Sequence, residues 1–533
     1  MKEFNTTAVC IPSKHYMVDI SEKVREIKKL VDAGRYFTIN RARQYGKTTT
    51  LNQLSLALEE DYKVLSISFE RITERNFSTE EAFVKAFCRL LKKKVQTVSG
   101  GLNMPETVQS RLDEFLARKD EQAGLDELFY VLEDWCAGSD CPIVMVIDEV
   151  DSATNNQVFI DFLGLLRDSY ISRDTEGRAA FWSVILAGVT DVRYLKSKIR
   201  GEADAKVNSP WNIAADFNVD MSLPEKGIQS MLDEYESDRH TGMNTADIAR
   251  QVWEYTNGYP YLVSRICQLM DTQMVPERFK NRAEVWTRYG VDEAVKLILA
   301  EDNTLFESLT GKLINYPKLK EKLRRILFRG ETIAYVADDE EQRQLKMYGF
   351  IRNNHNTVAV SNRIFEMRLC NYFIGETDKN DDLKQAGSAN KNIFVEEDGW
   401  LDVPKIMEHF IKEHNRVHKD HSESFLEEEG RERFITYISA IINGTGTYSM
   451  EEQTRDHLRT DLVVHYLGRR YIIELKIWRG ERYHAKGEQQ IIRYLDRYGL
   501  STGYLLSFSF NKNKIAGVRR LQIGDKIVFE GTV

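Results

Sequence analysis

Two groups of side chains in this sequence have the types and spacing for phosphate chemistry. The first lies in Arg41-Ala-Arg-Gln-Tyr-Gly46-Lys47-Thr48-Thr49-Thr50, followed by the helical run LNQLSLAL. Backbone N–H groups at a helix start attract phosphate, a lysine neutralises its outer oxygens, and a hydroxyl ligates Mg2+. Gly46, Lys47 and Thr48 supply that half of a phosphate loop, flanked by Arg43 and Thr49, while Arg41 stands where a leading glycine is usual. Further along, IVMVIDEVD closes an apolar run on Asp148 and Glu149. An aspartate there holds Mg2+ through water, and a glutamate polarises an attacking water. WSVILAGVTD brings Thr190 to the end of the next run, either as a sensor of the outermost phosphate or, with Asp191, as a helix cap.

The second group is Asp461, Glu474 and Lys476 in RTDLVVHYLGRRYIIELK. Gly468-Arg469 reads as a two-residue hairpin turn. Pairing Leu467 with Arg470 then sets Asp461 opposite Lys476 and diagonal to Glu474. Alternation places Glu474 and Lys476 on one face, with Ile473, Leu475 and Ile477 on the other. Two carboxylates hold Mg2+ or Mn2+, and the lysine orients or deprotonates a metal-activated water facing a phosphodiester. A solvent-facing charged ladder is the plainer alternative.

The elements around these residues set the expected architecture. YFTIN, YKVLSISF, IVMVI and WSVIL are continuous apolar strands separated by amphipathic helical segments, the mark of a parallel sheet covered on both faces. Residues 1–224 therefore form an α/β nucleotide-binding core, and 225–292 read as a helical lid. Residues 293–375 end in helices and a hairpin around Asn353 and Asn354, a winged-helix pattern. The polar stretch 376–391 reads as a linker. A smaller α/β domain follows at 392–533.

With 533 residues, the chain exceeds what one core can organise. Its 42% hydrophobic and 29% charged composition is that of a soluble globular protein, and its net charge of -8 excludes coating of nucleic acid by bulk charge. Residues 451–533 nonetheless carry 15 Lys and Arg against 10 Asp and Glu, a local balance that suits a polyanion. Six cysteines at irregular spacings suggest neither a disulfide framework nor a zinc site, which fits a reducing cytoplasm. Neither a signal peptide nor a membrane-spanning run is expected.

NRARQYGKTT, VIDEVD, AGVTD, SPWNIA and NGYPYL together resemble the bacterial AAA-ATPase-like family, relatives of the STAND class of signal-transduction ATPases. That family commonly carries an Arg-x-Arg-x-aromatic-Gly-Lys-Ser/Thr loop, so Arg41 departs from the general phosphate loop but not from this one. The resemblance covers residues 12–375 and implies an ATP-dependent P-loop NTPase switch with a helical lid and a winged helix. Arg41 and Arg43 then contact phosphate or a neighbouring segment, or form a solvated basic loop. Arg167, Arg193 and Arg200 are candidates for an arginine finger.

The hairpin, preceded by EEEGRERFITYISAIING and followed by a helix and GYLLSFSF, resembles the PD-(D/E)XK nuclease superfamily over residues 392–533. The resemblance implies Asp461 and Glu474 as metal ligands, Lys476 as the catalytic lysine, and Gln490 and Tyr494 as a supporting Gln-x-x-x-Tyr pair. An upstream acid comes from Glu428, Glu429 or Glu432, with Glu452 a further possibility; Glu429 is the candidate carried forward.

Three functions follow. The first is an ATP-binding and ATP-hydrolysing switch that controls a Mg2+-dependent nuclease acting on DNA or RNA, in defence or mobile-element biology, with a protein trigger or self-association as partner. The second is a nucleotide-dependent regulator or binding protein, in which the winged helix binds DNA or a partner and the C-terminal domain binds nucleic acid without cutting it. In the third, ATP is bound but barely hydrolysed.

Overall fold

The computed structural model describes residues 2–97, 104–118, 124–154, 156–192, 210–329, 333–376, 382–389, 391–417, 427–443, 445–450, 462–477, 481–509 and 515–533. The chain divides into two units. One comprises Met1–Met231, Tyr259–Ser264 and Lys346–Gly349, and the other Leu232–Gly258, Arg265–Leu345 and Phe350–Val533.

The first unit is built on a four-stranded sheet in the order Phe37–Asn40, Ser183–Gly188, Ile143–Asp148, Lys63–Ser68. All three pairings are parallel. Ile143–Asp148 and Ser183–Gly188 are buried along their whole length, as continuous apolar runs require in a sheet covered on both faces. Alternation sorts them cleanly. Met145, Ile147, Val184 and Leu186 join a core with residues of the helices Glu80–Thr97, Leu125–Ala137 and Gln157–Glu176. Val144, Val146, Ile185 and Ala187 join Val24, Ile27 and Val31 of Ser21–Asp32 and Leu51, Leu54 and Leu58 of Lys47–Leu58. Asp148 has the parity of Val144 and Val146, so it belongs to the face covered by the helix that begins at Lys47.

The strand order matters for chemistry. In parallel sheets ligands gather at the carboxyl ends of the strands. The strand ending in Gly188 lies between the one that leads into the phosphate loop and the one that ends in Asp148, so its exit turn is held between the lysine and the acidic pair.

The second unit begins with helices including Thr245–Thr256 and Arg288–Ala300. Thr304–Asn315, Pro317–Arg329 and Glu340–Met347, the last two residues of which count with the first unit, follow, then the hairpin Ile351–Asn354 with Thr357–Val360. The tip of this hairpin is His355-Asn356, both at positive φ, two residues beyond the expected centre. Part of the stretch read as a linker is ordered as the helix Asp382–Ala389. Leu383 is buried there, and a Cβ at Gly387 would stand 2.7 Å from the Tyr437 carbonyl oxygen. Glycine thus lets this short helix pack closely on Glu427–Ile442.

The C-terminal sheet has six strands in the order Gly517–Ile523, Lys526–Thr532, Thr502–Phe508, Arg469–Ile477, Leu462–Tyr466, Gly446–Met450. Ile472, Leu505 and Val528 cluster with Ile491, Tyr494 and Leu495 of the helix Glu481–Tyr498. On the opposite face, a Cβ at Gly531 would meet Met407 and Ile411 of Val403–Val417. The sheet is therefore sandwiched between helices.

Its central hairpin corrects the expected register. Tyr466 pairs with Arg469 and Leu462 with Ile473, so the turn is Leu467-Gly468 rather than Gly468-Arg469. Both turn residues have positive φ, 47° and 79°, the geometry that matches the twist of paired strands. The Leu467–Arg470 pairing, and with it the Asp461–Lys476 register derived from it, is replaced. Asp461 lies outside the described residues. It immediately precedes Leu462, whose partner Ile473 immediately precedes Glu474.

Candidate functional site

In the first unit, Gly46 caps the helix Lys47–Leu58 at φ 77°, in the left-handed region that glycine tolerates. Thr50 Oγ1 donates to the Gly46 carbonyl at 3.0 Å and secures the first turn. Lys47 is 7% exposed, and its ammonium donates to the carbonyls of Arg41 and Ala42, both at 3.0 Å. Burial pushes its pKa down, while Glu149, Asp151 and Asp148 pull it back up. Thr48 Oγ1 donates to Asp148 Oδ2 at 2.8 Å. The loop hydroxyl and the strand-end carboxylate thus share one point, although they are far apart in sequence.

Asp148 also accepts the Glu149 amide at 2.9 Å. Glu149 has φ 56°, a left-handed conformation that costs a non-glycine residue energy and is characteristic of functional positions. Burial, and then the neighbouring Asp148, push its carboxyl pKa up. Thr190 follows the strand Ser183–Gly188, and its amide donates to Asp151 Oδ1 at 2.7 Å.

The loop arginines differ in their surroundings. Arg41 donates to the carbonyls of Asn40 and Val219, at 2.8 Å and 2.7 Å, and its guanidinium lies 5.2 Å from the Phe217 ring centroid. Arg41 thus contacts a neighbouring segment. Arg43 is exposed. The Thr49 hydroxyl accepts the Cys10 amide at 3.1 Å, so the N-terminal segment reaches the loop. Arg167 lies on Gln157–Glu176; Arg193 and Arg200 lie outside the described residues.

Sequence reasoning left Tyr259 and Asp151 without roles at this site. Tyr259 is buried, its hydroxyl donates to the Arg43 carbonyl, and its ring meets Tyr45 edge-on at 4.8 Å. Pro260 is the nearest group to a Cβ built on Gly46, at 3.7 Å. NGYPYL reads locally as a turn and a helix start; nothing in its spacing points to a loop more than two hundred residues earlier. Replacing Tyr259 with Phe removes one hydrogen bond, worth about 1 kcal/mol, so ATP affinity should fall roughly fivefold with the fold intact. Titration calorimetry showing unchanged affinity would contradict a role for Tyr259 in shaping the loop.

These residues form a candidate nucleotide site, and they lie within a known class of domain. A family model described as an AAA-like domain matches residues 4–373. The chain belongs to that family. Its parallel α/β core resembles that of P-loop NTPases, and the match embraces every described residue of the candidate site above. Among solved structures, a Walker-type ATPase of Pyrococcus abyssi is 13% identical, with 69% of this chain and 99% of that one covered at a TM-score of 0.45. Cdc6p of Pyrobaculum aerophilum is 14% identical, with coverages of 70% and 98% and a TM-score of 0.33. The RuvB Holliday junction branch migration motor of Thermotoga maritima is 12% identical, with coverages of 64% and 92% and a TM-score of 0.31. No curated protein matches the chain. No described helix is long and apolar enough to cross a membrane.

Beyond the AAA-like domain, in the second unit, Glu474 is fully buried and Lys476 Nζ lies 2.9 Å from its Oε1. Alternation gives both the face of Ile472, which is the face that packs on the helix bearing Gln490 and Tyr494. Gln490 Nε2 donates to the Tyr494 hydroxyl at 3.2 Å, and Tyr494 is wholly buried. The solvent-facing charged ladder is thereby excluded for Glu474. Glu428 and Glu429 fall in the first turn of Glu427–Ile442, and their side chains lie outside the described residues, as does Glu452. Glu432 is committed to an ion pair with Arg324 at 2.6 Å. Among the described residues, no three His, Cys, Asp or Glu side chains form a metal cluster.

A second buried group lies on the strand before Glu474. His465 shares a hydrogen bond with Arg363, whose guanidinium lies 4.7 Å from the Tyr255 ring centroid. The Tyr255 hydroxyl donates to Asp292 at 2.7 Å. Helices read as lid and winged helix thus share a polar core with the C-terminal sheet, all within the second unit.

Proposed function

We propose that this protein is an ATP-hydrolysing switch whose nucleotide state controls a metal-dependent nuclease centred on Asp461, Glu474 and Lys476. The observation that carries the ATPase half is the Thr48–Asp148 hydrogen bond. It brings together Thr48 and Asp148, the hydroxyl and the carboxylate that would hold a Mg2+ ion, the aspartate through water. When bound, the ion neutralises charge on the β- and γ-phosphates. Lys47 then exchanges the Arg41 and Ala42 carbonyls for phosphate oxygens, the loop amides orient the chain of phosphates, and Glu149 orients and deprotonates the attacking water.

Because burial and Asp148 raise the Glu149 pKa, its carboxylate form is lost on acidification earlier than for a free glutamate, at about 4.3. ATP turnover should therefore fall on the acid side above that value. A rate that holds constant down to it would show that Glu149 is not the base.

For the nuclease half, the support is the buried Glu474–Lys476 pair. A carboxylate withdrawn from water beside one lysine suits cation binding and water activation better than it suits stability. Mg2+ or Mn2+ would be held by Glu474 and Asp461, with Glu429 as the proposed upstream acid and Gln490 and Tyr494 supporting the helix side. The metal supplies Lewis acidity toward a phosphodiester.

Two observations support coupling. Tyr259 holds the phosphate loop, and Tyr255, four residues earlier in the sequence and near the end of the preceding helix Thr245–Thr256, belongs to the polar core that includes His465. The test is cleavage of single-stranded DNA, double-stranded DNA and RNA with Mg2+ or Mn2+, comparing wild type with Asp461→Ala. Cleavage lost in the variant and on chelation is expected. Binding of nucleic acid without cleavage under any of these metals would favour a regulator that only binds.

A further inference from the structure

We propose that Asp151 is the positioning residue of the ATPase site, holding the Val189–Thr190 turn so that Thr190 reads the outermost phosphate of ATP. This rests on the reading of Lys47, Asp148 and Glu149 as a nucleotide site and assigns a role to the last acid of the sequence IDEVD.

Asp151 sits in the short 3-10 turn Val150–Ala153, directly after Glu149 and Val150. Its two carboxylate oxygens have separate tasks. Oδ2 accepts the amide of Val189 and Oδ1 that of Thr190, each at 2.7 Å. Bidentate bonds to a charged acceptor fix orientation as well as distance, so the exit of the strand Ser183–Gly188 is locked to the segment that carries the acidic pair. The carboxylate is itself seated, because Thr154 Oγ1 donates to the Asp151 carbonyl at 2.9 Å and steadies the turn.

Gly188 shows how close this approach is. A Cβ there would lie 2.9 Å from Val150 Cγ2 and 3.0 Å from Asp151 Oδ2. No side chain fits between the strand end and the carboxylate. The strand concerned is the one between the phosphate-loop strand and the Asp148 strand, so a shift of its exit turn moves Thr190 relative to both. The charge of Asp151 also bears on Lys47 and Glu149, which places it within electrostatic range of the reacting groups. An asparagine cannot substitute, since it offers one acceptor oxygen and turns a donor N–H toward the second amide.

The experiment measures affinities for ADP and a non-hydrolysable ATP analogue, together with ATP turnover, in wild type, Asp151→Asn, Thr190→Ala and the double variant. We expect Asp151→Asn to bind ADP as wild type does and to lose about tenfold or more of the preference for the ATP analogue and of turnover. The double variant should be no worse than Thr190→Ala, because Asp151 acts through that residue. Gly188→Ala crowds the same carboxylate from the strand side and should reproduce the loss, which keeps the test available if Asp151→Asn does not fold. Wild-type preference and turnover in Asp151→Asn, or losses that multiply in the double variant, would overturn the proposal. Failure of wild type to bind either nucleotide would instead overturn the nucleotide site, and this proposal with it.

Discussion

Glu149→Gln should bind ATP as tightly as wild type and hydrolyse it about 10²–10⁴-fold more slowly, the usual contribution of a positioned general base. The substitution is nearly isosteric, and the hydrogen bond from the residue 149 amide to Asp148 is a backbone bond that survives it. The charge is what changes. Glu149 stands beside Asp148, and both desolvation and that neighbour disfavour its ionised form, so removing the charge relieves repulsion. Thermal unfolding should occur at the same temperature or slightly higher. A slow, stable, ATP-binding variant would identify Glu149 as the base. Equal turnover in the two proteins would mean that ATP is a ligand and that hydrolysis, where seen, uses another group.

Lys476→Ala should lose metal-dependent cleavage of nucleic acid by about 10²-fold or more, the scale of a missing acid–base or charge-stabilising group. It should also cost stability. Glu474 is fully buried with the Lys476 ammonium 2.9 Å away, and removing one partner of a buried pair typically costs about 3–5 kcal/mol. Lys476 keeps some exposure, at 21%, so the cost belongs at the lower end of that range. Glu474→Gln separates the two effects. It removes the buried charge that the alanine variant strands, and so should unfold at a higher temperature than Lys476→Ala while remaining inactive. Cleavage that persists in both variants would remove these residues from the site.

Much of the nucleotide site was legible because its parts are local. A glycine with positive φ, a lysine and a threonine at a helix start need only one turn of chain, and Asp148 and Glu149 announce themselves by ending an apolar strand. That both faces of the sheet are covered followed from its continuous apolar strands, as Val144 and Met145 show by entering different cores. What sequence could not supply were long-range contacts. The Tyr259 hydroxyl reaches the Arg43 carbonyl, and Asp151 reaches the amides of Val189 and Thr190; neither leaves a periodic trace. In the C-terminal sheet, alternation along one strand correctly put Glu474 and Lys476 on one face. The hairpin register slipped because Gly468-Arg469 was given the turn that Leu467-Gly468 makes. A leucine at positive φ is uncommon, and the tight turn demands it from the pairing of Tyr466 with Arg469. The supposed linker contained a helix because a single leucine and a glycine contact sufficed to dock it.

Control of the cluster at Asp461, Glu474 and Lys476 by the site at Lys47, Thr48, Asp148 and Glu149 is tested most directly by the rate of nucleic-acid cleavage with and without ATP in wild type and in Lys47→Ala. The prediction is a rate that changes with ATP in wild type and is indifferent to ATP in Lys47→Ala, with cleavage absent from Lys476→Ala under both conditions. A wild-type cleavage rate that ATP leaves unchanged would contradict control by the nucleotide site, even if both chemistries proved real.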